Sequence, residues 1–236
     1  MNGTAVVVGA GDGIGTTLFR RFAEAGMRTA ICTNRADRTD PVADELRESG
    51  CSVRSVACDP ADPIDIAEGF ADVFEAFDTI DVVTFVVGEP NRAGLLELPR
   101  SDFLDGLDRD VLGGFCTARA VVPPMVNAGG GTLLFVGGPS SIDGKRGSIA
   151  ASTSQAGLRG LAASISTDLD DELDSSFLAV DRDLESDPAS DSLESVADRC
   201  VDLVRDDREY PLANEYRIAV EGSEAVVEQV ESPFEA

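Results

Sequence analysis

The chain has 236 residues, 43 % of them apolar, enough for one α/β domain with a sizeable core and no second domain. Its 44 acidic and 19 basic residues give a formal net charge of −25, which repels nucleic acid and excludes it as a partner. No apolar run approaches the ~18 residues of a spanning helix and no basic, signal-like segment opens the chain, so a cytoplasmic protein without membrane contact is expected.

Cys32, Cys51, Cys58, Cys116 and Cys200 are odd in number and lack a CxxC pair. They read as buried free thiols, with neither a disulfide framework nor a zinc site. The acids are spread over the chain, and only Asp168–Asp174 approaches a cluster. This distribution fits adaptation to high salt, where screening weakens self-repulsion, better than a docking surface for a basic partner.

Residues 4–15 read as an apolar strand, Thr4–Val8, running into a glycine-rich turn that opens a helix. Gly9 allows the sharp turn, while Gly13 and Gly15 remove side chains where a pyrophosphate must approach N–H groups at a helix N-terminus. Leu18, Phe19, Phe22 and Ala23 follow at helical spacing, the context such a turn requires. Thr29–Thr33 follows as a strand, Pro41–Glu48 as a helix, and Ser52–Ala57 as a third strand ending at Asp59. Ile64–Phe77 has helical periodicity, and Val82–Val87 is the unbroken run of a strand buried on both faces, stopped by Gly88. A long helix over Asp102–Val122, ended by Pro123-Pro124, precedes a strand at Thr132–Val136 and a helix rich in small residues at Ile149–Leu169. Phe177–Val180, a helix over Leu193–Val204, and Tyr216–Val220 complete the alternation. Right-handed crossovers wind such a series into a Rossmann-type, doubly wound parallel sheet of about seven strands with helices on both faces. The organisation expected is a dinucleotide-binding part over about 1–130, a catalytic-equivalent part over about 131–222, and a C-terminal tail over 223–236.

To about Gly222 the chain resembles the short-chain dehydrogenase/reductase family. The opening pattern TGxxxGIG stands here as Val8-Gly9-Ala10-Gly11-Asp12-Gly13-Ile14-Gly15. Asp59 sits where the family's aspartate contacts adenine, and Gly113-Gly114-Phe115 through Arg119-Ala120-Val121-Val122-Pro123-Pro124-Met125 matches NxxGxFxxxRAxxPxM in register. Tyr216-Arg217-Ile218-Ala219-Val220-Glu221-Gly222 looks like the last strand before VDGG. The resemblance implies hydride transfer between a nicotinamide and a carbonyl or alcohol, with a Tyr made acidic by a nearby Lys and assisted by Ser and Asn.

The same register places substitutions at all four of those positions. Ala151-Ser152-Thr153-Ser154-Gln155-Ala156-Gly157-Leu158 stands where the family reads YSASKAGL, so Ala151 replaces the Tyr and Gln155 the Lys. Gly138 falls at the Ser and Asp110 at the Asn. The family's NNAG appears as Phe85-Val86-Val87-Gly88, and its later PG turn as Asp181-Arg182. The chain has no His, its tyrosines are Tyr210 and Tyr216, and its one lysine is Lys145, in the loop between the fifth strand and the following helix. Lys145 and Asp110 are the alternative proton-transfer groups, and Phe85 and Arg182 are candidates to fill space left by a nicotinamide.

The resemblance also implies the cofactor contacts: Gly9, Gly11, Asp12, Gly13, Ile14, Gly15, Thr33, Asn34, Arg35, Asp59 and Gly88. At the end of the second strand Thr33 replaces the acid that selects NAD and Arg35 could attract a 2′-phosphate, which leans slightly toward NADP; Asp12 opposes it. A nucleotide-binding or regulatory protein without standard chemistry is expected first. An oxidoreductase with another proton donor is the second reading, and a structural subunit paired with an active paralogue the third. The family associates through two long helices, here those of Asp102–Val122 and Ile149–Leu169, implying a dimer or tetramer or a hetero-oligomer. No metal is expected.

Overall fold

A computed structural model describes residues 1–9, 13–86, 93–181, 191–205, 215–221 and 224–230. Among them, eight strands form one sheet in the order β3-β2-β1-β4-β5-β6-β7-β8. They are β1 (Thr4–Val8), β2 (Arg28–Thr33), β3 (Val53–Ala57), β4 (Val82–Val86), β5 (Thr132–Gly137), β6 (Asp174–Val180), β7 (Glu215–Glu221) and β8 (Glu224–Gln229). The helices are α1 (Ile14–Glu24), α2 (Ala36–Glu48), α3 (Pro63–Phe77), α4 (Arg100–Leu107), α5 (Gly113–Ala128), α6 (Ile149–Asp168) and α7 (Asp191–Leu203). β1 to β7 are parallel; β8 alone is antiparallel, paired with β7.

The side-chain period of two splits each inner strand between two cores. Ala5, Val7, Ile31 and Val136 face α1, α2 and α7. Val6, Val8, Cys32 and Phe135 face α3, α5 and α6. β1, β4 and β5 are buried along their whole length. The order reverses between β1 and β4, so the N-terminus of α1 opens at the switch point at the carboxyl edge of the sheet, where this architecture binds ligands.

Three features differ from the sequence expectation. The long helix expected over Asp102–Val122 is α4 and α5 joined by a π-helical turn over Asp108–Leu112, and Pro123-Pro124 lie inside α5 instead of ending it. The carbonyls those prolines cannot serve, four residues earlier, belong to exposed Arg119 and half-buried Ala120, within reach of water. α5 ends instead at Gly129 (φ 111°), where the Gly130 N–H reaches the Met125 carbonyl at 2.9 Å. α2 begins at Ala36 and carries Pro41 internally. Lastly, part of the expected tail is β8, an eighth strand. Its Ala225 is held from outside the ladder, the N–H by Ser195 Oγ (2.8 Å) and the carbonyl by Arg199 Nε (3.1 Å), both on α7.

Candidate functional site

The first turn is built around Gly9. Its φ of 78° lies in the left-handed region, and a Cβ there would meet the Val86 carbonyl oxygen at 2.5 Å. Its N–H donates to Cys32 O (3.0 Å), tying the turn to β2. Gly13 is the residue before α1, and its carbonyl accepts from the N–H (3.3 Å) and hydroxyl (3.2 Å) of Thr17. Ile14 and Gly15 are buried in the first turn of the helix. The dipole at that helix N-terminus suits an anion. Gly11, Asp12 and Gly88, named from the sequence, lie outside the described residues, as does Arg182.

At the end of β2 Thr33 is buried and its hydroxyl accepts from the Arg35 N–H (3.0 Å), shaping the turn that carries exposed Asn34 and half-buried Arg35. Asp59, after β3, closes a local turn by accepting from the Ala61 N–H (3.0 Å). Beneath this end, burial pushes the Cys58 thiol up to about 12 and raises the Cys32 thiol too, so both stay protonated.

Ala151 and Gln155 are one turn apart on α6, hence on one helix face. The Gln155 Oε1 accepts from the Gly138 N–H at 3.1 Å, just past β5, and both residues are buried. Ser141 Oγ donates to the Gly138 carbonyl (2.7 Å), so the Gly138 residue is held through both its N–H and its C=O. Next to Gln155, Ser154 Oγ donates to Asp110 Oδ2, and Arg109 Nε stands 3.4 Å from Asp110 Oδ1. The side chain of Asp110 is 3 % exposed. The four positions singled out by sequence register, Asp110, Gly138, Ala151 and Gln155, therefore converge where α6 meets the π-turn and the end of β5.

Of the two alternative proton-transfer groups, Asp110 belongs to this cluster, and the tyrosine among the described residues lies away from it, as expected. Tyr216 is 1 % exposed and belongs to the core on the α1, α2 and α7 side of the sheet, opposite α6. Lys145 is exposed in the loop before α6. Phe85 is a core residue of β4, its ring 6.2 Å from that of Phe135. Among the described residues no cluster of His, Cys, Asp and Glu could hold a metal ion, and no helix is long and apolar enough to cross a membrane. The two contacts that sequence reasoning missed, Gln155 to Gly138 and Ser154 to Asp110, join residues 17 and 44 apart in the chain. No local pattern announces either.

A parallel sheet sandwiched between helices, with its glycine turn and helix N-terminus at the switch point, defines a Rossmann-type dinucleotide-binding architecture. The short chain dehydrogenase profile matches residues 3–173, and the chain belongs to that family. Ketoacyl reductase 1 assigned to the granaticin polyketide synthase of Streptomyces violaceoruber is 29% identical over 174 residues, 70% of this chain and 61% of the relative. D-threitol dehydrogenase of Mycolicibacterium smegmatis is 30% identical over 130 residues, 55% of this chain and 50% of the relative. The chain spans about three fifths of the length of the first curated relatives it matches. In structure it is similar to the alcohol dehydrogenase of the archaeon Thermococcus sibiricus complexed with 5-hydroxy-NADP, with TM-score 0.83, 21% identity, and 92% and 96% of the two chains covered.

Proposed function

We propose that this chain is a nucleotide-binding member of the short-chain dehydrogenase family in which standard proton transfer has been lost, serving a binding or regulatory role. The observation that carries the reading is the Ala151 methyl and the Gln155 carboxamide, the latter tied to Gly138, at the positions where the family resemblance calls for a phenol and an ammonium. A phenol near its reference pKa of ~10 needs an adjacent cation to exchange protons near neutrality. Neither partner is supplied by Ala151 or Gln155.

The residues at the adenosine end fit a dinucleotide. Gly9 and the α1 N-terminus would receive the pyrophosphate, Asp59 would lie at the adenine, and Asn34 and Arg35 at the ribose. Arg35 favours a 2′-phosphate, so NADP is preferred slightly over NAD. Bound dinucleotide would supply hydride chemistry; these side chains supply only binding and orientation. The acidic surface suits a salt-rich cytoplasm, and association through α5 and α6, with a copy of this chain or an active paralogue, is the assembly proposed. Calorimetric titration in concentrated salt with NADP, NAD and adenosine fragments, beside NADPH and NADH oxidation over a ketone panel, tests the reading. Binding without turnover is expected; robust turnover overturns it.

A second reading keeps oxidoreductase activity with Asp110 or Lys145 as the proton donor. It predicts that Asp110→Asn or Lys145→Ala lowers a measurable rate. The engagement of Asp110 with Ser154 and Arg109 favours a structural role for that carboxylate over this reading.

A further inference from the structure

The exposed charges at the two ends of α6 run against the helix itself. Lys145 and Arg146 stand exposed in the loop before it, between Gly144 and Gly147, where an added Cβ would meet nothing within 4 Å, so the loop projects from the body. Asp168, the last residue of α6, and Asp170, Asp171 and Glu172 just past it are exposed as well. A helix presents a positive N-terminus and a negative C-terminus, so cations before α6 and acids at its close both oppose its dipole. Within one chain this placement only destabilises.

Midway along, Gly160 is a second feature that the single chain does not explain. A Cβ there would meet nothing within 4 Å, whereas one on Gly157 would stand 2.9 Å from Val111 Cγ2. Glycine weakens a helix interior relative to alanine, and its use where the chain leaves room points to a neighbour that comes close. Thr153, Ala156, Ser164 and Thr167 continue the same exposed stripe at helical spacing.

We infer that a second copy of this chain packs antiparallel on α6, with Lys145 and Arg146 of each copy clamped on the acidic end of α6 in the other. The helix has 20 residues, a length of about 30 Å. A two-fold axis at Gly160 sets Ser152 opposite Asp168 and Ser148 opposite Glu172, which brings the cationic loop to the acids at both ends. A parallel pairing would set like charges side by side. The inference rests on the association through α5 and α6 proposed above and adds what selects the partner and its direction. Two chains of net charge −25 repel over distance, so the clamp acts at contact, once salt has screened that repulsion.

Sedimentation equilibrium of the full chain in concentrated salt reads the clamp through two charge reversals, Lys145→Glu with Arg146→Glu, and Asp171→Lys with Glu172→Lys. Each reversal alone should weaken self-association roughly ten-fold or more. An equimolar mixture of the two reversed chains should recover the affinity of the parent, because every mixed pair restores both clamps. The neutral forms, Lys145→Gln with Arg146→Gln and Asp171→Asn with Glu172→Gln, should weaken association less, and they carry the test if a reversed chain fails to fold. Reversals without effect, or a mixture that recovers nothing, overturn the clamp. Gly160→Phe separates the clamp from the association on which it rests: its side chain has room in the single chain, so helix content should hold while the assembly dissociates. If Gly160→Phe dissociates the protein and the reversals do not, the clamp falls and association through α6 stands. If none of them does, or if the parent is a monomer throughout, both fall and the nucleotide-binding reading is untouched.

Discussion

Two glycines sit at the carboxyl edge of the same sheet, one past β1 and one past β5, and they are glycines for different reasons. Gly9 has φ 78° and leaves 2.5 Å between a notional Cβ and the Val86 oxygen. Gly138 is extended, with φ −90° and ψ 178°, and its notional Cβ would meet only Gln155 Oε1, at 3.5 Å. The backbone demands glycine at the first and merely permits it at the second. What separates the nucleotide end from the catalytic-equivalent end is therefore the kind of constraint: close approach of main chain in one, absence of a side chain in the other.

That contrast is broken most severely by Gly9→Ala, which forces a side chain against a backbone oxygen in a strained conformation. It should cost about 3 kcal/mol or more and remove nucleotide binding, read by chemical denaturation and calorimetry. Gln155→Lys comes next: it deletes the acceptor of the buried Gly138 N–H and adds a charge, for an expected loss of about 2–3 kcal/mol. A lysine tolerated there without loss would show the Gln155 link to be dispensable. Asp78, ending α3 with φ 61° and ψ −49°, is a non-glycine residue that carries the positive φ Gly9 relieves; Asp78→Gly should raise stability by about 1 kcal/mol in the same denaturation series. Gly138→Ser should change stability by less than about 1 kcal/mol, since nothing but a side-chain oxygen at ordinary contact distance faces it.

Burial raises the Cys58 and Cys200 thiols from an ordinary 9.0 to about 12, and it raises the Cys32 thiol as well. Their folded pKa values lie above the unfolded ones, so their contribution is complete below pH 9 and is lost as the pH climbs toward 12. Thermal midpoints should fall across that window. Native alkylation at neutral pH should be confined to the half-buried Cys51 and Cys116.

How much of this was legible follows from the range over which each contact acts. β1 has the bounds its apolar run gave, and Gly9 turns where the glycine pattern placed the turn, because strand and turn are decided by neighbouring residues. Pro123-Pro124 misled because a missing N–H ends a helix only where the abandoned carbonyls are shut away from water, and burial is not a local property. β8 escaped notice because its stability comes from β7 and from Ser195 and Arg199 on α7, not from its own six residues EAVVEQ. At the site, sequence register could say that Gln155 stands in place of a lysine. It could not show that the amide faces a peptide N–H across the gap to β5, and so what the replacement does there was invisible.

The antiparallel ribbon at the border of the sheet has a bearing on handling the protein. Shortening the polypeptide after Glu221 would strip β7 of the neighbour that saturates its outer row of amides and carbonyls, leaving seven residues ready to template on any extended peptide they meet. Such a product should clump while its remaining fold stays intact, and precipitation of a trimmed sample would then report an uncovered rim and not a melted interior.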